Sequence, residues 1–156
     1  RNEPLQAFNG LRLLPDCTLA QCPKLDIVIA PGGKGRFAAM KNPVIQEFLR
    51  RQAVWARYLT SVCTGAFLLA EAGLLLGKRA TTYHTAMEEL AAYGVKTEAS
   101  KVVQDGKVIT AGGVSSGLEL GLYLLQCCFD LDLACEVARK IEYEAGLDFL
   151  NNLSRT

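Results

Sequence analysis

Residues 58–70 read YLTSVCTGAFLLA, where an apolar, β-branched run stops at Cys63 and an apolar helical pattern begins at once. The pattern predicts a strand-to-helix turn with a thiol at its apex. Gly65 and Ala66 follow directly, as expected where bulky side chains would collide with the strand. The positive end of the helix dipole would stabilise a thiolate at this position. Cys63 is therefore a candidate nucleophile; the alternative is a buried core cysteine.

Composition limits the classes of protein to which the chain can belong. It has 156 residues, half of them apolar, and a formal net charge of +1. This length fits a single domain, 1–156, with a sizeable core. The nearly balanced charge does not favour nucleic acid or another polyanion as a partner. The apolar runs are too short to span a membrane, and no secretory signal pattern opens the sequence. We therefore expect a cytoplasmic protein.

Cysteine usage favours free thiols over disulfides or a metal site. The six cysteines are Cys17, Cys22, Cys63, Cys127, Cys128 and Cys135. A chain of this length and apolar content does not need disulfides, and no C-x-x-C pair indicates zinc. The last three are predicted to lie on apolar helical faces, whereas Cys17 and Cys22 flank a loop and have no visible partner.

Strand and helix patterns alternate along the chain. Predicted strands span 10–14, 25–30, 55–62, 79–82, 95–97, 101–104 and 107–110, and predicted helices span 44–53, 64–73, 85–94, 116–129 and 133–143. Four helices open at capping signals, which are Asn42, Thr85 with Glu88, Ser116 with Glu119, and Asp132. The tail 145–156 shows little pattern. The alternation predicts a mostly parallel α/β sheet covered by helices on both faces.

Three glycine-containing turns follow predicted strands, and they are Pro31-Gly32-Gly33, Cys63-Thr64-Gly65 and Gly112-Gly113-Val114-Ser115. In open α/β sheets, ligands gather at the carboxyl ends of the strands. Paired glycines let backbone N–H groups approach a ligand closely and stabilise a developing anion. A single Gly-Gly pair is weak evidence, but three such turns at one edge of a sheet predict a binding site.

Two further side chains are candidates for this site. Thr64 directly follows the thiol, so its hydroxyl and N–H lie where an atom bound to sulfur would be. His84 is the only histidine, and it begins a helix after the strand 79–82. It is either a base for Cys63 or a capping or surface residue. Glu119 is explained by its position in the capping box.

Four motifs together resemble the DJ-1/PfpI superfamily, in its order and spacing. They are IVIAPGG at 27–33, SVCTGA at 61–66, GKRATT at 77–82 and TAGGVSSG at 110–117. The similarity runs from about Leu11 to Tyr143. It is strongest to the isonitrile hydratase branch and to the amidotransferase-like domains of AraC-type regulators. The resemblance implies a flavodoxin-like three-layer sandwich with a nucleophile elbow.

The resemblance also implies roles for particular residues. Cys63 matches the elbow nucleophile, and Thr64 matches the threonine that follows it in the hydratase branch, where protease-like relatives carry histidine. Gly33, next to Gly32, matches the glycine whose N–H lines the anion pocket. Gly113 belongs to the third turn of the same site. His84 falls one position after the usual histidine, which is Tyr83 here, so its role in substrate binding is an expectation only.

The implied activity is hydration of an isonitrile to an N-substituted formamide by a cysteine-dependent lyase. It requires no metal or organic cofactor, and its partner is a small electrophilic substrate. Two alternatives stay open: a ligand-sensing domain without turnover, and a redox-responsive protein in which Cys63 is oxidised. Relatives are usually homodimers, and the high apolar content is consistent with surface buried between two copies.

The hydratases also use an acidic residue from a first strand and its following turn. We expect this strand and helix to be missing here, so that the domain begins at the second strand. In a doubly wound sheet the first strand lies between the second and the third. We therefore predict a gap with two unpaired strand edges, filled by an upstream segment or by another copy.

Overall fold

Eight strands and seven helices alternate along residues 3–7 and 9–153, the part of the chain that this computed structural model describes. The strands are β1 (Leu5–Gln6), β2 (Arg12–Leu13), β3 (Ile27–Ala30), β4 (Tyr58–Val62), β5 (Arg79–Ala80), β6 (Lys96–Thr97), β7 (Val102–Asp105) and β8 (Val108–Ala111). The helices are α1 (Arg36–Met40), α2 (Pro43–Trp55), α3 (Ala66–Glu71), α4 (Met87–Ala91), α5 (Ser116–Cys128), α6 (Leu131–Lys140) and α7 (Glu144–Leu153).

The central sheet has four strands in the order β3-β4-β8-β7. β4 pairs in parallel with both β3 and β8, and β7 and β8 form the predicted antiparallel hairpin around Gly106, whose φ is 62°. Two small sheets, β1-β2 and β5-β6, complete the strands in the described part of the chain. The expectation of a mostly parallel sheet is confirmed.

The predicted gap in this sheet is wrong. β3 and β4, which were expected to flank a missing strand, pair directly from Ile27 with Tyr58 to Ala30 with Ser61. Direct pairing satisfies the backbone groups that a gap would leave without partners. In the described part of the chain β3 and β7 are the two edge strands of this sheet, and Ile29 of β3 is 56% exposed.

Apolar side chains cover the sheet on both faces, as the strand pattern predicted. Val28 and Leu59 pack into a core beneath α2, α3 and α4. Their sequence neighbours Ile27 and Tyr58 belong to a second cluster, with Ile109 and residues of α5. Because successive strand residues point to opposite faces, one strand serves both cores. A third cluster joins α5 to α6 and α7. The predicted flavodoxin-like three-layer fold is confirmed.

Some helix ends differ from the predictions because a nearby residue could supply the same capping or boundary signal. Asn42 caps α2 as expected, because its side chain accepts a hydrogen bond from the Val44 amide at 3.0 Å. The cap of α6 is Asp130 rather than Asp132, with its carboxylate accepting from the Leu133 amide at 2.8 Å. Trp55, assigned to a strand, ends α2 instead. The tail forms α7 up to Leu153, and residues 154–156 lie outside the described residues.

Neither predicted capping box forms. α4 begins at Met87 after a short turn, and α5 begins at Ser116 after Ser115, in both cases without a side-chain cap. Glu119 instead accepts hydrogen bonds from Lys101 at 2.6 Å and from the Tyr143 hydroxyl at 2.8 Å. A carboxylate has stronger partners in a cation and a phenol than in a backbone amide. Glu119 therefore links α5 to the loop before β7 and to the segment before α7.

This buried carboxylate is charged in the folded protein. Glu119 is 1% exposed, and burial alone would raise its pKa, but the hydrogen bonds from Lys101 and Tyr143 outweigh burial and hold the pKa below its ordinary value. A lowered pKa contributes stability that is present above the unfolded-state pKa, about 4.3. That contribution is lost as the pH falls through the folded-state pKa.

Replacing Lys101 by methionine is expected to lower the free energy of unfolding at pH 7 by about 1–3 kcal/mol, because it leaves Glu119 buried without its cation. The cost should shrink towards pH 4, where Glu119 takes up a proton in the variant. Urea denaturation at the two pH values measures both effects. Lys96→Met, at an exposed lysine of β6, is the control and should stay within about 0.5 kcal/mol of the parent. An equal cost of Lys101→Met at both pH values would contradict this account.

Candidate active site

Cys63 lies at the end of β4 in a strained backbone conformation. Its φ is 56°, in the left-handed region that residues other than glycine rarely adopt. A single tight helical turn, Cys63–Gly65, then leads into α3. Such strain costs on the order of 1–3 kcal/mol and persists only where the surroundings enforce it. The predicted strand-to-helix turn with a half-buried thiol at its apex is present.

Two contacts from distant segments hold the elbow. The hydroxyl of buried Thr82 donates to the carbonyl oxygen of Cys63 at 2.8 Å. On the opposite side, a Cβ atom at Gly65 would lie 2.0 Å from the carbonyl oxygen of Ala30. The glycine therefore lets the elbow press directly against the end of β3. Thr82 was not predicted as part of the site, although it ends the GKRATT motif at 77–82.

The first glycine turn supports Thr64. The N–H of Gly33, whose φ is 114°, donates to the Thr64 side-chain oxygen at 3.0 Å. A Cβ atom at Gly32 would lie 2.7 Å from the Thr64 nitrogen, so glycine is required for this approach. Because the Thr64 oxygen accepts this hydrogen bond, its own proton stays free to donate to a ligand. The Gly33 N–H, which was expected to line an anion pocket, is thus hydrogen-bonded to Thr64 in this arrangement.

The carboxyl ends of β3, β4 and β8 come together at one edge of the sheet. Ala30 lies opposite Ser61, and Val62 lies opposite Ala111, so the turns that follow these strands are neighbours. Beside the third turn is a cavity of about 310 Å³, lined by residues that include Thr82, His84, Lys101, Gly113 and Ser116. Thr82 links the cavity to the elbow through its hydrogen bond to Cys63. Gly113 and His84 therefore line a cavity next to the turn that carries Cys63.

His84 lies in the wall of the cavity beside the third turn. Its ring is exposed and stacks on Tyr83 with 4.4 Å between ring centroids. Among residues 3–7 and 9–153, no hydrogen bond joins His84 to Cys63, and none joins a carboxylate to the thiol. A histidine at the rim of the cavity can still donate a hydrogen bond to a substrate.

Three of the other thiols lie in less reactive surroundings. Cys135 is buried in the core of α5 to α7, and burial raises the pKa of Cys127. Burial, followed by the neighbouring Cys17 side chain, raises the pKa of Cys22. A raised pKa lowers the thiolate fraction at neutral pH, and the thiolate is the nucleophile.

Limiting iodoacetamide at pH 7 is expected to alkylate Cys63 first among the six cysteines. Its partial exposure at the tip of a strained turn permits attack, whereas Cys135 is shielded and the raised pKa values of Cys127 and Cys22 lower their thiolate fractions. Peptide mapping by mass spectrometry after short exposure measures the order of labelling. Preferential labelling of Cys127 or Cys17 would contradict the assignment.

Within the described residues, no helix has both the length and the apolar composition to cross a lipid bilayer.

Comparison with known proteins identifies the family. The DJ-1/PfpI family matches residues 1–127, and the chain belongs to this family. It is 43% identical over 149 residues to isonitrile hydratase from Pseudomonas putida, which covers 94% of this chain and 64% of that enzyme. It is 29% identical over 140 residues to protein dj-1beta from Drosophila melanogaster, which covers 88% of this chain and 75% of that protein.

A solved structure of a similar protein supports the same family assignment. The crystal structure of a ThiJ/PfpI family protein from Pseudomonas syringae matches with a TM-score of 0.88 and 34% identity, over 92% of this chain and 60% of that one. The chain thus spans just under two thirds of the length of both the isonitrile hydratase and the Pseudomonas syringae protein. The predicted family resemblance is confirmed.

Proposed function

We propose that this member of the DJ-1/PfpI family is a cysteine-dependent hydratase that converts an isonitrile and water to an N-substituted formamide. The observation that carries the proposal is the elbow itself, where Cys63 is held in a strained turn beside a threonine hydroxyl that a glycine amide orients. The 43% identity to an isonitrile hydratase over nearly the whole chain supports the choice of substrate class.

The proposed reaction has two covalent steps. The Cys63 thiolate attacks the terminal carbon of the isonitrile and forms a carbon–sulfur bond, and a proton added to that carbon gives a thioimidate. Water then adds to the same carbon while the nitrogen takes up a proton, and the carbon–sulfur bond breaks. The thiolate is regenerated and the formamide leaves, so one water is consumed for each isonitrile.

The neighbouring groups would position the reacting atoms. Thr64 would donate its free hydroxyl proton towards the substrate atoms bound at sulfur, because its oxygen already accepts from Gly33. The cavity lined by His84 and Gly113 would receive the substituent on nitrogen, with Thr82 as the link to the elbow. Gly32 would contribute by allowing the close approach of its loop to Thr64.

The test is turnover of small isonitriles by the purified protein, with formamide followed by mass spectrometry and the intact protein mass followed in parallel. Catalytic formamide production with a transient adduct at Cys63 is expected. A stable adduct at Cys63 without turnover would instead support the ligand-sensing alternative. Isonitrile that is neither bound nor consumed would contradict the proposal.

We also propose that the protein is a homodimer in solution. Four leucines in and beside the β1-β2 hairpin are more than half exposed, namely Leu5, Leu11, Leu13 and Leu14, and such clusters usually mark interaction surfaces. Light scattering at micromolar concentration is expected to give twice the 16.9 kDa of one chain. A mass of 16.9 kDa under these conditions would refute the dimer.

A further inference from the structure

A pair of cysteines far from the elbow lies in one tight turn between β2 and β3. The amides of Gln21 and Cys22 both donate to the carbonyl oxygen of Thr18, at 3.1 and 3.0 Å. The Thr18 hydroxyl also bonds the Gln21 side chain at 2.8 Å. These bonds fold the chain back on itself, so that Cys22 comes next to Cys17. The sequence pattern alone predicts no partner for either residue.

The two thiols lie at the two ends of this turn and are reachable from solvent. The side chains of Cys17 and Cys22 are near neighbours, and both residues are partly exposed. Cys127 and Cys128, by contrast, are consecutive on α5, where adjacent side chains point in different directions. Of these two pairs, Cys17 and Cys22 are therefore the one that the fold brings towards the geometry of a disulfide.

The turn is attached to α2 and is separate from the active-site elbow. Arg51 donates to the Leu19 carbonyl oxygen at 2.8 Å, and Gln52 donates to that of Pro23 at 2.7 Å. The segment then enters β3 at its amino end, whereas Cys63 follows the carboxyl end of β4, which runs parallel to β3. Leu19 and residues of α2 line an apolar cavity of about 330 Å³. A reaction between these two cysteines would therefore take place in the turn that forms part of the wall of that cavity.

We propose that Cys17 and Cys22 form a peroxide-sensitive dithiol that closes reversibly to an intramolecular disulfide. The Cys17 thiolate attacks an oxygen of hydrogen peroxide, the oxygen–oxygen bond breaks, and sulfenic acid at Cys17 and one water result after protonation. The second thiol then attacks the sulfenic sulfur, and a second water leaves as the sulfur–sulfur bond forms. Two thiols are oxidised and one peroxide is reduced to two waters. A low-molecular-weight thiol restores the pair by exchange.

Formation of the disulfide can be followed by mass spectrometry of a single peptide. Trypsin cleaves after Arg12 and Lys24, so both cysteines lie in the peptide 13–24. After exposure to hydrogen peroxide and alkylation, this peptide is expected to be two hydrogen atoms lighter than the reduced form and to carry no alkyl group. Dithiothreitol before alkylation should restore two alkylated cysteines. Cys63→Ser should still form the disulfide, whereas Cys17→Ser and Cys22→Ser should not.

Equilibration with reduced and oxidised glutathione tests whether the folded turn brings the thiols together. The effective concentration of the pair is expected to be at least about tenfold higher in the native protein than in guanidinium chloride. An equal value in both states would overturn the proposal. So would peroxide-treated protein in which Cys17 and Cys22 both remain alkylatable, or in which either is joined to Cys63 or to another chain.

Discussion

Replacing Cys63 by serine is expected to lower the rate of isonitrile hydration by at least about 10³-fold, the scale seen when a covalent nucleophile is removed. A serine hydroxyl is not ionised near neutral pH, and the ring of His84 stacks on Tyr83 with no hydrogen bond to residue 63 in the described part of the chain. Steady-state formation of formamide by the variant and the parent, at matched concentration, measures the effect.

The matched control is Cys128→Ser, which makes the same atomic change at a half-buried cysteine of α5. It should keep the rate within about threefold of the parent, since the site is remote from the elbow. Thermal unfolding of both variants separates loss of chemistry from loss of fold. A Cys63→Ser protein that keeps its fold and more than a tenth of the parent activity would exclude Cys63 as the nucleophile.

Replacing Gly65 by alanine is expected to have the largest effect on stability. The new Cβ atom would lie 2.0 Å from the Ala30 carbonyl oxygen and 2.8 Å from its carbon. Both are backbone atoms at the end of β3, so no side-chain rotation relieves the overlap, and β3 must separate from the elbow. We expect a loss of at least about 3 kcal/mol, which corresponds to a melting temperature lower by roughly 6–12 °C.

Gly35→Ala provides a closely matched control for this effect. Both glycines precede a helix in right-handed helical geometry, with φ and ψ of −62° and −23° at Gly65 and −61° and −17° at Gly35. A Cβ atom at Gly35 meets nothing within 4 Å. Its substitution should therefore change stability by less than about 1 kcal/mol. Calorimetry on the two variants tests the difference, and a Gly65→Ala protein as stable as Gly35→Ala would refute the close-packing argument.

The elbow was predictable because its signals are local. A β-branched run that ends at a cysteine followed by small residues leaves few backbone paths, and the observed turn follows one of them. The hairpin around Gly106 and the cap at Asn42 were predictable for the same reason, since each depends on groups a few residues apart. The family motifs extended this local information to the fold class.

Other predictions failed where two local solutions compete. Asp130 and Asp132 are equally able to cap a helix, and packing of α6 against α5 selects the earlier one. Glu119 had a plausible backbone partner nearby, but Lys101 lies within reach only once the loop before β7 meets α5. In each case the local sequence allows both hydrogen-bonding arrangements, and their free energies differ only after the core has formed.

The sequence alone determined where the chain turns and which residue stands at the apex, because backbone sterics act over a few neighbouring residues. Only the tertiary structure decided what meets at that apex. Gly33 reaches Thr64 across 31 positions, and Thr82 reaches Cys63 across 19. The pairing of β3 with β4, which overturned the expected gap, is of the same kind. Such contacts depend on strand register and core packing, which are properties of the whole folded chain rather than of any one segment.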